Sequence, residues 1–317
     1  MAPDRQERFQ RFVERKTREA AAAPIGRLST IVERLDDNRL RGIGNAWTRT
    51  HYGGEFGLVV APQDRTALSL VFVQSNDGNT GAVNPAALGG GPTDEHLIYE
   101  GLSRVAADAV LAGAGTVHAG AFFSVWHPEL IELRRALGLP RHPAQIVISK
   151  KGRVDGDALL FGVPEVPVFL ITGDEGARRL QPWLRDRPWI RHVPLAGDDL
   201  RPIIDRLRTE EGIGRISAIG GRLTATALVD AGLAQDLYLT TTSIDAGEPD
   251  TPWYSGASPP ALEVITKKEW FDDGASIVFE HAVINIRIDG LAAWRGRSVP
   301  DRYHTSGMPA RLTGNRS

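Results

Sequence analysis

The sequence predicts an α/β fold, doubly wound around a mostly parallel sheet, with antiparallel edge strands toward the carboxyl-terminal end. Three observations predict it. Short apolar runs recur at residues 68–73, 109–112, 145–149, 166–172 and 216–219, and runs of that length without polar alternation belong to strands covered on both faces. Helical spacing fills the intervals, with Leu97, Ile98, Leu102 and Val105 in one stripe and Leu200, Ile203, Ile204 and Leu207 in another. The late runs 236–240, 262–266 and 276–280 follow one another, the last two with no helical pattern between them, which marks antiparallel strands.

In chain order, Arg5 to Ala23 reads as a charged, alanine-rich helix with Phe9, Phe12, Val13 and Lys16 on one side and Pro24 as its stop. This sets residues 1–50 apart as a helical extension of a body at 51–289. The first strand, 68–73, runs into Ser75-Asn76-Asp77-Gly78, and Thr93 is placed to cap the helix carrying Leu97. The strand at 109–112 passes directly into Gly113-Ala114-Gly115-Thr116-Val117, and the strand at 216–219 into Gly220-Gly221-Arg222-Leu223-Thr224 and a helix. Residues 290–317, which begin with Gly290 and include Trp294-Arg295-Gly296-Arg297-Ser298, lack apolar periodicity and read as a tail.

The two glycine-rich strand ends carry the chemistry. Glycine lets backbone approach a phosphate without a Cβ clash, and the first amides of a helix are unpaired donors in a positive field. Thr224 and Thr226 add hydroxyl donors and Arg222 a guanidinium. In an open sheet of this kind ligands lie beyond the carboxyl ends of the strands, where Asp77, Thr116, Ser149, Thr172 and Gly220 all fall in this reading. Lys150 and Lys151 follow a strand where an NAD site would carry an acidic residue for the ribose 2′-hydroxyl; Ser149 and Lys150 stand there instead and favour a 2′-phosphate. Asp77, turned by Gly78, is the candidate polar contact to a substrate.

Composition narrows the partners. With 317 residues, 42% of them hydrophobic and 24% charged, and a net charge of -2, the chain has core enough to be globular and no global attraction to nucleic acid or anionic membrane. Cysteine is absent, which excludes disulfides, thiolate zinc and a cysteine nucleophile, and fits a reducing cytoplasm. No apolar run of membrane-spanning length and no signal-peptide pattern is present, so a cytoplasmic location is expected. The eight histidines show no ligand spacing, and no metal site is expected. Walker, Gly-x-Ser-x-Gly and kinase motifs are missing.

In the order and spacing of these pieces, Ser75-Asn76-Asp77-Gly78, then Arg104 through Val117, then Gln145 to Lys150, then Ile219-Gly220-Gly221, the chain resembles the pyrimidine reductases of riboflavin biosynthesis, which have a dihydrofolate-reductase-like fold. The resemblance covers residues 66–284. It implies NADPH as cofactor, touched by Val73, Gly115, Thr116, Gly120, Ser149, Lys150 and Thr172 and wrapped at its pyrophosphate by Gly220, Gly221, Arg222, Leu223 and Thr224. It implies a heterocyclic substrate, of pyrimidine or pteridine type, met by Asp77 as catalytic partner, by Arg104 and by the position of Ile219. It also implies a homodimer paired through the late edge strands. Ile219 departs from the family, which has a glutamate there, and the loop His118 to His127 departs too; its rings either stack on a planar heterocycle or close the core. The deaminase carried by some relatives needs cysteines this chain lacks. Two other readings stand beside this one: a non-catalytic nucleotide-binding sensor or scaffold, and a dihydrofolate-type or secondary-metabolite reductase.

Overall fold

The computed structural model describes residues 3–34, 39–60, 64–82, 85–272 and 274–285, so the tail expected at 290–317 lies outside the described residues. The chain opens with α1 (Pro3–Ala22), β1 (Ser29–Glu33), β2 (Leu40–Ile43), α2 (Ala46–His51), β3 (Phe56–Val59) and β4 (Ala67–Gln74). A short α3 (Gly91–Thr93) continues into a π-helical segment, Asp94–Leu102. Then come β5 (Ala109–Gly113), α4 (Pro128–Ala136), β6 (Ala144–Ile148), β7 (Val168–Thr172), α5 (Asp174–Arg185), β8 (Ile190–Pro194) and α6 (Arg201–Glu211). The chain ends with β9 (Arg215–Ile219), α7 (Arg222–Asp230), β10 (Asp236–Thr241), β11 (Ala261–Asp272) and β12 (Ala275–Asn285).

Ten strands form one sheet in the order β1-β11-β12-β10-β4-β9-β5-β6-β7-β8, and β2 pairs with β3 apart from it. From β10 to β8 all pairs are parallel; β12 joins β10, β11 joins β12 and β1 joins β11 antiparallel. Adjacent residues on the central strands feed opposite cores, as expected of period-two side chains in a sheet covered on both faces. Val71, Ala112, Val147 and Leu170 pack with Leu97, Ile98 and Leu130, while Leu70, Leu111, Ile146 and Phe169 pack with Ile203, Leu207 and Leu228.

Four expectations need correction. Residues 236–241 form no edge strand: β10 is internal and runs parallel to β4. The edge expected to pair a homodimer is filled from within, because β1 lies against β11 with Ser29 opposite Glu269 and Glu33 opposite Thr266. The amino-terminal fifty residues therefore contribute a strand to the main sheet as well as α1. Lys268 fastens that strand: its buried ammonium donates to Thr30 Oγ1 at 2.7 Å and lies 3.4 Å from Glu33 Oε1. Thr93 does not cap its helix; it sits inside it, and its Oγ1 accepts the Gly26 amide at 2.9 Å.

Candidate cofactor and substrate site

The parallel strands all end on one rim, in the sheet order β10, β4, β9, β5, β6, β7, β8. At about 4.8 Å per strand, β4 to β7 spans roughly 19 Å, a length suited to an extended dinucleotide. Asp77, Gly220, Thr116 and Ser149 follow β4, β9, β5 and β6, and Thr172 ends β7, so these residues lie at five neighbouring strand ends.

The two glycine turns are in contact. Gly220 and Gly221 have φ of +65° and +82°, a region that favours glycine. A Cβ on Gly220 would stand 3.3 Å from Thr116 Oγ1, and a Cβ on Gly113 would stand 2.8 Å from Thr224 Oγ1. A side chain at either place would fill the bed between the turns. The first turn of α7 has no side-chain cap, leaving its leading amides as unpaired donors. Arg222 and Leu223 are exposed there, Leu223 to 77%. Exposed glycine backbone at Gly115, uncapped amides, two threonine hydroxyls and a guanidinium make a donor set that fits a pyrophosphate.

Toward β6 and β7 the fit is mixed. Lys150 is exposed and pairs with Asp198 at 2.6 Å; exposed pairs contribute only about 0–1 kcal/mol, so a phosphate can compete for the ammonium. Ser149 Oγ is engaged with Arg153 O at 3.0 Å, and Thr172 is fully buried with its hydroxyl 2.7 Å from His192 Nε2. These two offer backbone rather than side chain. Gly120 is exposed in the loop after Thr116.

On the β4 side, Asp77 is exposed, but both its oxygens turn back on their own loop. Ser75 Oγ donates to one and Asn79 Nδ2 to the other at 2.7 Å. The Ser75 hydrogen bond leads in holding this carboxyl below its usual value, against partial desolvation. Asp77 is a fixed anion on the rim.

A carboxylate that sequence reasoning missed lies one step inward. Thr240, paired across the ladder with Val73, donates its hydroxyl to Asp94 Oδ1. The run Gly89-Gly90-Gly91 brings backbone against the same group, and a Cβ on Gly90 would stand 2.9 Å from Asp94 Oδ2. Burial raises the Asp94 carboxyl to about 7, the Thr240 hydrogen bond opposing and Glu95 adding to the rise. Some of Asp94 still reaches solvent, so it can exchange a proton. The signal available in the sequence was the glycine triplet ahead of Pro92-Thr93-Asp94, a tight backbone approach with a carboxylate at its end.

Two expected substrate contacts are not at the rim. Arg104 ends the helix that descends from Asp94, so it lies at the amino ends of the strands. It is 2% exposed, its Nη1 donates to Ser124 O at 3.1 Å and its guanidinium lies 3.6 Å from the Tyr99 ring centroid. It is a packing residue, and the distance from Thr116 in sequence is the height of the sheet. Ile219 is 0% exposed in the core and presents no surface to a ligand. Phe122 and Trp126 close the core as well, meeting Phe9 at 4.8 Å and Phe12 at 5.5 Å between ring centroids.

Among the described residues no cluster of potential metal ligands occurs, and no helix is long and apolar enough to cross a membrane.

Comparison with known proteins agrees with this architecture. A pyrimidine reductase-like protein from Corynebacterium diphtheriae superposes with a TM-score of 0.55 at 20% identity, over 70% of this chain and 94% of that one. RibD from Acinetobacter baumannii superposes with a TM-score of 0.52 at 15% identity, over 70% of this chain; the match spans only 59% of that protein's length. At such identities the likeness is one of fold. No curated protein matches the chain by sequence. The sequence profile of the RibD C-terminal domain matches residues 68–279, a span that runs from β4 into β12 and includes both glycine turns, and the chain belongs to that family.

Proposed function

We propose that this protein is an NADPH-dependent reductase of a planar heterocycle of pyrimidine or pteridine type, similar to reduction of a phosphoribosylaminouracil in riboflavin biosynthesis. The observation that carries the reading is the single bed made by Gly113, Thr116, Gly220 and Thr224, on the same strand-end rim as the Thr240–Asp94 pair. NADPH, when bound, supplies the hydride.

The chain's own part is placement and proton handling. The α7 amides and Arg222 hold the pyrophosphate, Thr116 lies alongside it, and Lys150 meets the 2′-phosphate. Val73, at the end of β4, borders the position where the reacting rings would lie. Asp94, protonated over part of the neutral range, donates to or accepts from a ring nitrogen or carbonyl of the substrate, and Thr240 holds it in place. Asp77 stays ionised and serves as a rim contact. Membership of the family supports the reductase class; the absence of a polar side chain at Ile219 argues for an acceptor gripped differently from the family's own.

The assay is NADPH oxidation followed at 340 nm across aminouracil, dihydropterin and quinonoid acceptors. Turnover with one class confirms the reading and names the acceptor by kcat/KM. NADPH binding without oxidation of any acceptor would instead support the nucleotide-binding sensor.

A further inference from the structure

The two halves of the strand-end rim carry opposite charge. On the cofactor side, α7 opens with Arg222, and Lys150, Lys151 and Arg153 follow β6. The other half is framed by three segments: 75–94 after β4, 242–260 after β10, and 271–276 at the turn between β11 and β12. Together they hold seven carboxylates, among them Asp77, Asp94, Asp245 and Asp272, and no lysine, arginine or histidine.

These segments are fastened to one another, so their charges share one place. The Asn76 amide donates to Ile244 O at 2.9 Å and its side chain to Asp245 Oδ1 at 3.2 Å. The Thr242 hydroxyl donates to Leu88 O at 2.7 Å, and a Cβ on Gly89 would stand 2.9 Å from Ile244 Cδ1. A Cβ on Gly91 would meet Asp272 Oδ2, one residue from the Gly90 position that adjoins Asp94 Oδ2. The β11–β12 turn reaches that far because β12 begins at Ala275, ahead of the rung where Val278 meets Thr241 at the end of β10.

No cation of the described chain answers these groups. Among the described residues none of Asp77, Asp94, Asp245 and Asp272 is in an ion pair. His96, the first basic residue after Asp94, is buried against Glu100. Asp94 Oδ1 takes the Thr240 hydroxyl, Oδ2 accepts no hydrogen bond, and the charge acting on the carboxyl is that of Glu95. A crevice lined by one sign of charge concentrates the opposite sign and turns away its own, so this half favours cations and disfavours phosphate.

Resting on the reductase reading, we propose that the acceptor is a cation without a phosphate: a planar heterocycle whose C=N nitrogen is positively charged, that charge answered by Asp94, Asp77, Asp245 and Asp272. The iminium carbon receives the hydride pair as a new C–H bond while the nicotinamide C4–H bond breaks, and the C=N π pair settles on nitrogen. The iminium is reduced to a neutral amine and NADPH is oxidised to NADP+. Where the ring nitrogen arrives unprotonated, Asp94 gives the proton and stays ionised beside the charge it has made.

Calorimetry on the NADPH-saturated protein tests the charge with three probes of one body that cannot accept hydride: 1-naphthylmethylammonium, 1-naphthylmethanol and 1-naphthyl phosphate. The ammonium should bind at least tenfold more tightly than the alcohol, and the phosphate more weakly than either. Asp245 is exposed, and Asp245→Lys should weaken the ammonium at least fivefold, leave the alcohol unchanged and strengthen the phosphate. An ammonium that binds no better than the alcohol, or an equal loss of all three probes in Asp245→Lys, overturns the proposal. Turnover separates it from the reading beneath it. NADPH oxidation by 2-methyl-3,4-dihydroisoquinolinium should exceed that by a phosphoribosylaminouracil at least tenfold in kcat/KM. If the phosphoribosyl compound is the better acceptor, the proposal falls while the reductase reading stands; if the ammonium binds but no acceptor oxidises NADPH, the reductase reading falls and hydride transfer to an iminium falls with it.

Discussion

Gly113 and Thr224 touch across the two strand ends: a Cβ on Gly113 would stand 2.8 Å from Thr224 Oγ1. Gly113 has an ordinary φ of -72°, so alanine there strains no backbone and acts through this contact alone. Gly113→Ala is expected to weaken NADPH about tenfold, roughly 1.4 kcal/mol. Removing the hydroxyl should relieve the clash, so Gly113→Ala with Thr224→Ala should bind no worse than Thr224→Ala alone. Fluorescence titration of the four proteins checks the cycle, and additive losses would separate the two turns.

Lys150 should discriminate between cofactors. Its ion pair with Asp198 is exposed and contributes little to the fold. Lys150→Ala is therefore expected to raise KM for NADPH about tenfold, leave that for NADH unchanged and leave Tm within a degree or two. Equal changes for both cofactors would move the 2′-phosphate elsewhere.

Asp94 makes a pH prediction with a definite sign. Its carboxyl is raised from 3.8 to about 7 in the folded protein, so the native state binds the extra proton and stability falls as pH rises from about 4 to about 7. Asp94→Asn removes that dependence. Measured by thermal melts, the variant should match the wild type near pH 4 and exceed it by roughly 1–3 kcal/mol at pH 8, less than full linkage because the side chain is partly exposed. In kinetics the wild-type kcat should decline above pH 7. Asp94→Asn should lower kcat about 100-fold with NADPH affinity intact, and an unchanged kcat would leave the pair a packing contact.

The β1 strand should prove a structural requirement. Deleting residues 1–34 leaves the hydrogen-bonding edge of β11 open and the Lys268 ammonium without Thr30 and Glu33. Open edges invite pairing with other chains. Gel filtration should show higher oligomers and melts a lower Tm; a monomer of unchanged Tm would contradict the assignment.

Much of the sheet was legible because strands covered on both faces announce themselves. The runs beginning at Leu68, Ala109, Gln145 and Ile216 are short and largely apolar, interrupted by nothing larger than a serine after their first residue, and each became a central parallel strand. Strands with mixed exposure were not: β8 carries Arg191 and His192 on an edge, and β1 is largely exposed. Their pairing depends on distant partners rather than on local pattern. Within the site, the glycine turns were readable because only one residue type permits such backbone. Asp94 was not, since its character arises from Thr240 and Gly90, neighbours that only folding brings together. Arg104 misled for the converse reason, because sequence spacing does not report which end of a strand a residue occupies.

One more consequence follows from β1 lying on β11. The β1 strand must wait for a partner synthesised well after it, Ala261–Asp272 against Ser29–Glu33, and at the usual 5–20 residues per second that interval is roughly 10–50 s. Until then its backbone groups have no native partner. Closure of this part of the sheet therefore waits on synthesis of β11, and any slowing of elongation between the two segments lengthens the time in which the early strand is open to capture by a chaperone or by another nascent copy.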